Sequence, residues 1–172
     1  MTEESVRAAI ADGSLEERME WVPVTMGDMV FVDAGTVHAI GPGVVLLETQ
    51  QMSDTTFRLY DYGRPRELHL EQGLRAMRMK TKAGKVKPVM MDGFVRLIAQ
   101  KYFVVDRYDL TAGDEAVLMA EGAGCVVGLS GVATVDKVEL MPGRAVVVPV
   151  GGAVTVRARD GASFVRCLAP IV

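Results

Sequence analysis

The latter half of the chain is a succession of short runs at strand spacing, and no other feature constrains the fold as strongly. FVRLIAQ, YFVVDRYDL, EAVLMA, CVVGLS, VATVDKVEL, RAVVVPV, AVTVRA and SFVRCLA follow one another, most of them separated by Gly- or Asp-containing turns. Runs this short cannot satisfy their own backbone N–H and C=O groups, so they must pair with one another. Regular repetition of this kind is the signature of a sandwich or barrel. The earlier half shows the same period in VPVT, MVFVDA, VVLLETQ (44–50) and TTFRLYDY (55–62), with turn signals at Met26-Gly-Asp28 and Gly41-Pro-Gly43. The expected class is all-β.

Two places break the strand period. SVRAAIA (5–11) puts Val6, Ala9 and Ile10 on one helical face, Gly13 supplies a stop, and Ser14-Leu-Glu-Glu17 has the S-x-x-E spacing of a capping box. Two short helices are therefore expected at the start. ELHLEQGLRAM places Leu70, Leu74 and Met77 at i, i+4 and i+7, which predicts a short amphipathic helix linking two β parts. The basic stretch MKTKAGKVKP, broken by Gly and Pro, reads as a solvated linker. The expected organisation is a helical segment over 1–20, a β module with its bridging helix over 21–79, a linker over 80–92 and a second β module over 93–172.

Composition excludes some function classes. The 172 residues are 49% hydrophobic and 24% charged, with a net charge of −3 and the two signs interspersed. There is no broad cationic face to neutralise a phosphate backbone, so nucleic acid is not an expected partner. The first twenty residues contain no apolar signal-like core, and no later segment approaches the ~18 apolar residues of a membrane helix. The expected setting is the cytoplasm, without a membrane partner. Cys125 and Cys167 lack CxxC spacing and sit among apolar neighbours, so they read as small core residues rather than a disulfide framework. Eleven methionines could serve an adaptable interface as well as a core.

The two halves echo each other. Gly27, five residues, Asp33-Ala-Gly35, two residues, His38 is matched by Gly143, five residues, Pro149-Val-Gly151, two residues, Val154. The same strand–turn–strand unit occurs twice, once with a histidine, which argues for two related β modules. The pattern G-x5-P-x-G-x2-H resembles the second sequence motif of the cupin superfamily, here with Asp33 in place of the proline. Residues 38–74 are more specific: His38-Ala-Ile-Gly41, Leu46-Leu-Glu-Thr-Gln-Gln51, Ser53-Asp-Thr-Thr-Phe-Arg-Leu-Tyr-Asp61 and Arg66-Glu-Leu-His-Leu70 lie within them. In that order these segments are similar to the C-terminal half of type I mannose-6-phosphate isomerases, with the likeness strongest over residues 20–75.

The resemblance implies a cupin-type jelly-roll β-sandwich, made of part of a catalytic barrel and a metal-free C-terminal jelly roll. It implies interconversion of mannose 6-phosphate and fructose 6-phosphate, hence a sugar-phosphate substrate. In that family a zinc ion is held by a Gln-x-His pair, a glutamate and one later histidine, and His38 matches the last of these. The motif carrying the other three ligands has no counterpart here. A catalytic zinc needs about three protein ligands, and His69, Cys125 and Cys167 are not at ligand spacing from His38. The isolated chain is therefore expected to be incomplete, holding no zinc alone, with its barrel completed by an N-terminal half or by a second copy in a homodimer.

An aldose–ketose isomerisation moves a proton between adjacent carbons through an enediol, so it needs a base that reaches both and a cation near the developing oxyanion. Glu48 in an otherwise apolar run and Arg58 in TTFRLY are the residues that the resemblance assigns to this chemistry. Gln50 and Asp54, in the polar loop between them, are the candidate sugar contacts. Structural readings stand beside these. A lone barrel histidine is more often hydrogen-bonded than metal-bound, Glu48 and Arg58 could pair with each other, and turn chemistry explains Ser53 and Asp54. His69 reads as structural, and Arg64 and Arg66 as surface residues around a proline. Two other functions stay open: a non-catalytic cupin module that binds a sugar phosphate or acts in assembly, and, more distantly, a metal-independent sugar epimerase.

Overall fold

The computed structural model of the chain describes residues 2–170. It forms two compact units, one comprising the residues up to Leu47 together with Met52–Lys85, the other comprising Glu48–Gln51 and the chain from Val86 onward. Among the described residues no helix is long and apolar enough to cross a membrane.

The first unit opens with α1 (Glu3–Ala11). Thr2 caps it by accepting from the Ser5 amide at 3.2 Å while its own N–H donates to Ser5 Oγ at 2.9 Å, so two otherwise unpaired donors are satisfied reciprocally. Glu3 and Glu4 lie in the first turn, where the helix dipole favours negative charge. Val6 and Ala9 are buried with Leu15, Leu59 and Leu74. The capping box expected at Ser14 does not form. Met19 turns extended, so Glu16–Arg18 is only a single 3-10 turn, and Ser14 Oγ is buried without a partner among the described residues.

β1 (Val30–Phe31) pairs antiparallel with β2 (Gly84–Lys85), which lies inside the basic stretch, and the bridging helix α2 spans Leu70–Ala76. The expected strands over 44–50 and 55–62 carry no ladder among the described residues. Strand residues are held by their neighbours, and here no neighbouring backbone pairs with them. The apolar side chains of the first of these runs are left uncovered, with Val45 99% exposed.

The second unit is a single antiparallel sheet system of the strands β3 (Val89–Met90), β4 (Val95–Ala99), β5 (Val104–Leu110), β6 (Glu115–Met119), β7 (Gly124–Val135), β8 (Val138–Leu140), β9 (Ala145–Val148) and β10 (Ala153–Leu168). Two long strands organise it. β10 has 16 residues. At about 3.3 Å per residue it would run roughly 50 Å if straight, well beyond the roughly 30 Å diameter of a unit this size. It must bend. The register shifts between Ala158 and Ala162, where Gly161 takes a left-handed φ of 87°. Before the bend, Ala153–Arg157 pairs with β6; after it, Ala162–Leu168 pairs with β5. β7 bends beside it, pairing with β9 before Gly131 and with β8 after it.

CVVGLS and the start of VATVDKVEL are therefore one strand, as are AVTVRA and SFVRCLA. The Gly residues that read as strand-ending turns are corners inside continuous strands. Antiparallel pairing in which long strands pass from one set of partners to another is the jelly-roll solution, and the expected all-β, cupin-type β-sandwich class is what forms. Phe164, Val126, Val156, Leu118 and Leu140 are at most 2% exposed in its core, where Phe164 stacks on Tyr108 with ring centroids 5.1 Å apart. Asp106, fully buried, is paired by Arg96 at 2.7 Å and Arg166 at 2.7 Å, so its charge is met by two cations.

The two bends meet closely. A Cβ on Gly131 would lie 1.9 Å from the Gly161 carbonyl oxygen, and Gly131 itself has a φ of 68°. Gly131→Ala is expected to cost about 2–5 kcal/mol, the sum of overpacking and left-handed strain. Gly143→Ala, with a φ of 77° but nothing within 4 Å, should cost about 1–2 kcal/mol from backbone strain alone. Urea unfolding followed by circular dichroism compares them, and equal losses would show that the close approach carries no energetic weight.

Candidate functional site

The motif that ends in His38 is built from two tight turns. In the first, Thr25-Met-Gly-Asp28, the Asp28 amide donates to Thr25 O at 3.1 Å, and the Asp28 carboxylate accepts from the Thr25 N–H at 2.8 Å and hydroxyl at 3.1 Å. Thr111-Ala-Gly-Asp114 in the second unit repeats this arrangement bond for bond. The short T-x-G-D signal was available in the sequence but its pairing of side chain to backbone was not. In the second turn the Thr36 amide donates to Asp33 O at 3.1 Å, and Gly35 has a φ of 85°. Its counterpart is Pro149–Gly152, closed by a 2.9 Å bond, with Gly151 at a φ of 72°. Left-handed φ at the third turn position is why both motifs carry glycine there.

The two motifs differ at the position three residues beyond that glycine. Val154 is packed in the core of its unit, whereas His38 is exposed. His38 Nδ1 lies 2.9 Å from Thr36 O. A carbonyl oxygen can only accept, so Nδ1 is the donor, and in the neutral tautomer this leaves the lone pair on Nε2. This is how a histidine is oriented when it serves as a metal ligand. It stands alone, however: among the described residues no group of three or more His, Cys, Asp or Glu side chains is placed to hold a metal ion. The described residues do not by themselves fit a zinc site.

Arg58 is half-buried and tied at three points. Its N–H donates to His69 Nδ1 at 3.1 Å, its carbonyl accepts from the His69 amide at 2.7 Å, and its guanidinium donates to Glu67 O at 3.1 Å. His69 is thus structural, as its place between two leucines suggests, and what it fixes is the backbone of Arg58. Three residues on, Asp61 is 5% exposed. It accepts from Arg66 Nε at 2.6 Å and pairs with Arg64 at 2.8 Å. The hydrogen bond from Arg66, opposed by burial and aided by the charges of Arg64 and Arg58, holds the Asp61 carboxyl below the usual aspartate value. Arg64 and Arg66 are therefore ion-pair partners at the surface, and Asp61 is a residue that sequence reasoning missed.

Glu48, Gln50 and Asp54 are exposed. Glu48 lacks the burial that its apolar neighbours imply, because Leu46 and Leu47 are themselves exposed. Between Glu48 and Gln50, Thr49 Oγ1 lies 3.3 Å from Cys167 Sγ, which fastens this short segment to β10.

The Asp61 cluster has a pH signature. Because the folded carboxyl titrates below the unfolded value of about 3.9, its stabilisation is complete above that value and is lost as pH falls through the depressed folded one. The stability gap between the wild-type chain and Asp61→Asn should be constant near neutrality and close as the solution is acidified below about pH 4. Thermal unfolding across pH measures it, and a gap that does not narrow would show that the ionised carboxylate is not what matters.

No protein-family model matches the chain. It is 46% identical over 79 residues to the mannose-6-phosphate isomerase of Streptococcus mutans serotype c, covering 42% of this chain and 25% of that protein. It is 33% identical over 136 residues to the putative mannose-6-phosphate isomerase YvyI of Bacillus subtilis, covering 67% of this chain and 42% of the relative. The chain thus spans well under half the length of these curated relatives. The crystal structure of the mannose 6-phosphate isomerase from Bacillus subtilis superposes with a TM-score of 0.78 at 24% identity, over 96% of this chain and 57% of that one. The likeness read from residues 38–74 holds: this chain resembles the C-terminal portion of the mannose-6-phosphate isomerases, on a cupin fold.

Proposed function

We propose that this chain supplies the C-terminal part of a mannose-6-phosphate isomerase, interconverting mannose 6-phosphate and fructose 6-phosphate by proton transfer through an enediol. The observation that carries this reading is the 46% identity shared with the streptococcal isomerase. Glu48 is the proposed base, exposed and therefore free to take a proton from one sugar carbon and return it to the next. Arg58 is the proposed cation beside the developing oxyanion. Its permanent charge and its ties to His69 and Glu67 O support that role, since a preorganised charge need not be reoriented during reaction. Gln50 and Asp54 are proposed to hydrogen-bond the sugar hydroxyls.

In the family that this chain resembles, zinc acts as a Lewis acid at such a centre. Here His38 Nε2 offers one donor, and no step is assigned to a metal. Exposed apolar side chains at Trp21, Ile40, Val45, Leu46 and Leu47 support a further element of the proposal, that another polypeptide covers this region in the active form. A separate N-terminal isomerase half or a second copy of the chain could do so. The cytoplasmic setting expected from the sequence accords with a sugar-phosphate substrate.

The test is turnover of mannose 6-phosphate by the full chain, alone and mixed with a separately expressed N-terminal part of a mannose-6-phosphate isomerase. Activity is expected in the mixture. There, Arg58→Ala should lower kcat/KM by about 10²–10³-fold and Glu48→Gln by about 10²–10⁴-fold, while Lys82→Ala leaves it unchanged. Absence of turnover in the mixture and in the chain alone, or equal effects of all three substitutions, would contradict the assignment.

A further inference from the structure

The two cysteines, 42 residues apart in sequence, face each other. Cys125 of β7 and Cys167 of β10 are direct register partners in the antiparallel ladder. Residues so paired have Cα atoms about 4.5–5.5 Å apart and side chains on the same face of the sheet. That spacing lies inside the range of about 4.4–6.8 Å that a disulfide spans without backbone movement. Both thiols are free, Cys167 buried and Cys125 half-buried. We propose that Cys125 and Cys167 form a reversible dithiol–disulfide couple across the β7–β10 ladder, with Cys125 as the attacking thiol and Cys167 as the resolving one.

The division of roles rests on exposure and on hydrogen bonding. Cys125 is the more accessible. The Cys167 thiol donates toward it and, against the opposing effect of burial, lowers its pKa to about 7. Cys167 is correspondingly raised, first by the bond it gives to Cys125 and then by burial. A thiolate at Cys125 beside a protonated Cys167 is the pairing that exchange chemistry requires. Thr49 Oγ1, 3.3 Å from Cys167 Sγ, completes the chain of contacts as donor to that sulfur.

The oxidant is a low-molecular-weight disulfide. The Cys125 thiolate attacks one sulfur of glutathione disulfide, forming a mixed disulfide as the S–S bond of the reagent breaks and one glutathione thiolate leaves. Cys167, giving up its proton, then attacks the Cys125 sulfur, forming the Cys125–Cys167 bond and releasing the second glutathione. Two protein thiols are oxidised and one glutathione disulfide is reduced to two glutathiones. Because Thr49 lies between Glu48 and Gln50, the couple is wired to the segment that carries the proposed base. The couple itself does not depend on that proposal.

The experiment is equilibration of the full chain in glutathione redox buffers, followed by acid quenching and intact-mass and peptide mass spectrometry. Under oxidising buffer the mass should fall by two hydrogens, with a Cys125–Cys167 cross-linked peptide that dithiothreitol removes. Cys167→Ser, or Cys167→Ala if the serine variant does not fold, should instead retain one glutathione on Cys125. A wild-type chain that stays fully reduced, keeps glutathione on Cys125, or links to a second chain through either cysteine would overturn the proposal.

Discussion

The architecture of the second unit depends on one constraint: a 16-residue strand must turn a corner inside a unit too small to hold it straight. The corner is made where Gly161 and Gly131 come within backbone contact distance, a closeness that a side chain on Gly131 could not share. Because β10 continues through the bend rather than ending there, it takes β6 as partner on one side of the corner and β5 on the other, with β7 running beside it along the opposite edge. The register beyond the corner then fixes several pairings at once. It sets Arg166 against buried Asp106, stacks Phe164 on Tyr108, and brings Cys167 opposite Cys125.

A second device recurs on a smaller scale. Paired tight turns, each with a left-handed glycine, precede both His38 and Val154. The turns need only the right backbone conformation at Gly35 and Gly151, so the residue three positions beyond is free to vary. In one unit that position faces into a core and holds valine; in the other it is exposed and holds a histidine whose Nδ1 is pinned by Thr36 O. The scaffold thus separates the cost of making the turn from the chemistry placed beyond it. Arg58 illustrates the same economy, since His69 fixes its backbone and leaves the guanidinium to be held by one further bond.

Much of this was legible in the sequence, for reasons that can be named. Period-two runs gave the strands of the second unit, since each is paired and half-covered, and the i, i+4, i+7 spacing gave α2, whose Leu74 is buried. The repeated glycine spacing gave the turns. What could not be read is whatever depends on distant partners. Gly131 and Gly161 read as turns because a sharp bend and a chain reversal make the same local demand for glycine. The runs at 44–50 and 55–62 have strand composition, but composition does not provide a neighbour to pair with. Cys125 and Cys167 read as two separate core residues because register is set by the whole ladder. Asp61 gives no local signal because its worth lies in Arg66 and Arg64, whose charges alone read as surface decoration.

In the proposed function, residues of this chain move a proton between neighbouring carbons of a sugar phosphate. Isomerisation of mannose 6-phosphate in deuterium oxide, by the chain together with whatever polypeptide completes it, tests this most directly, with the deuterium content at C1 of fructose 6-phosphate read by NMR. A base that carries the proton from one carbon to the next holds it as an exchangeable O–H between the two steps. Solvent deuterium is therefore expected at C1, and Glu48→Gln should slow its entry together with turnover by about 10²–10⁴-fold. A rapidly formed product free of deuterium, or incorporation by Glu48→Gln at the wild-type rate, would contradict the proposal.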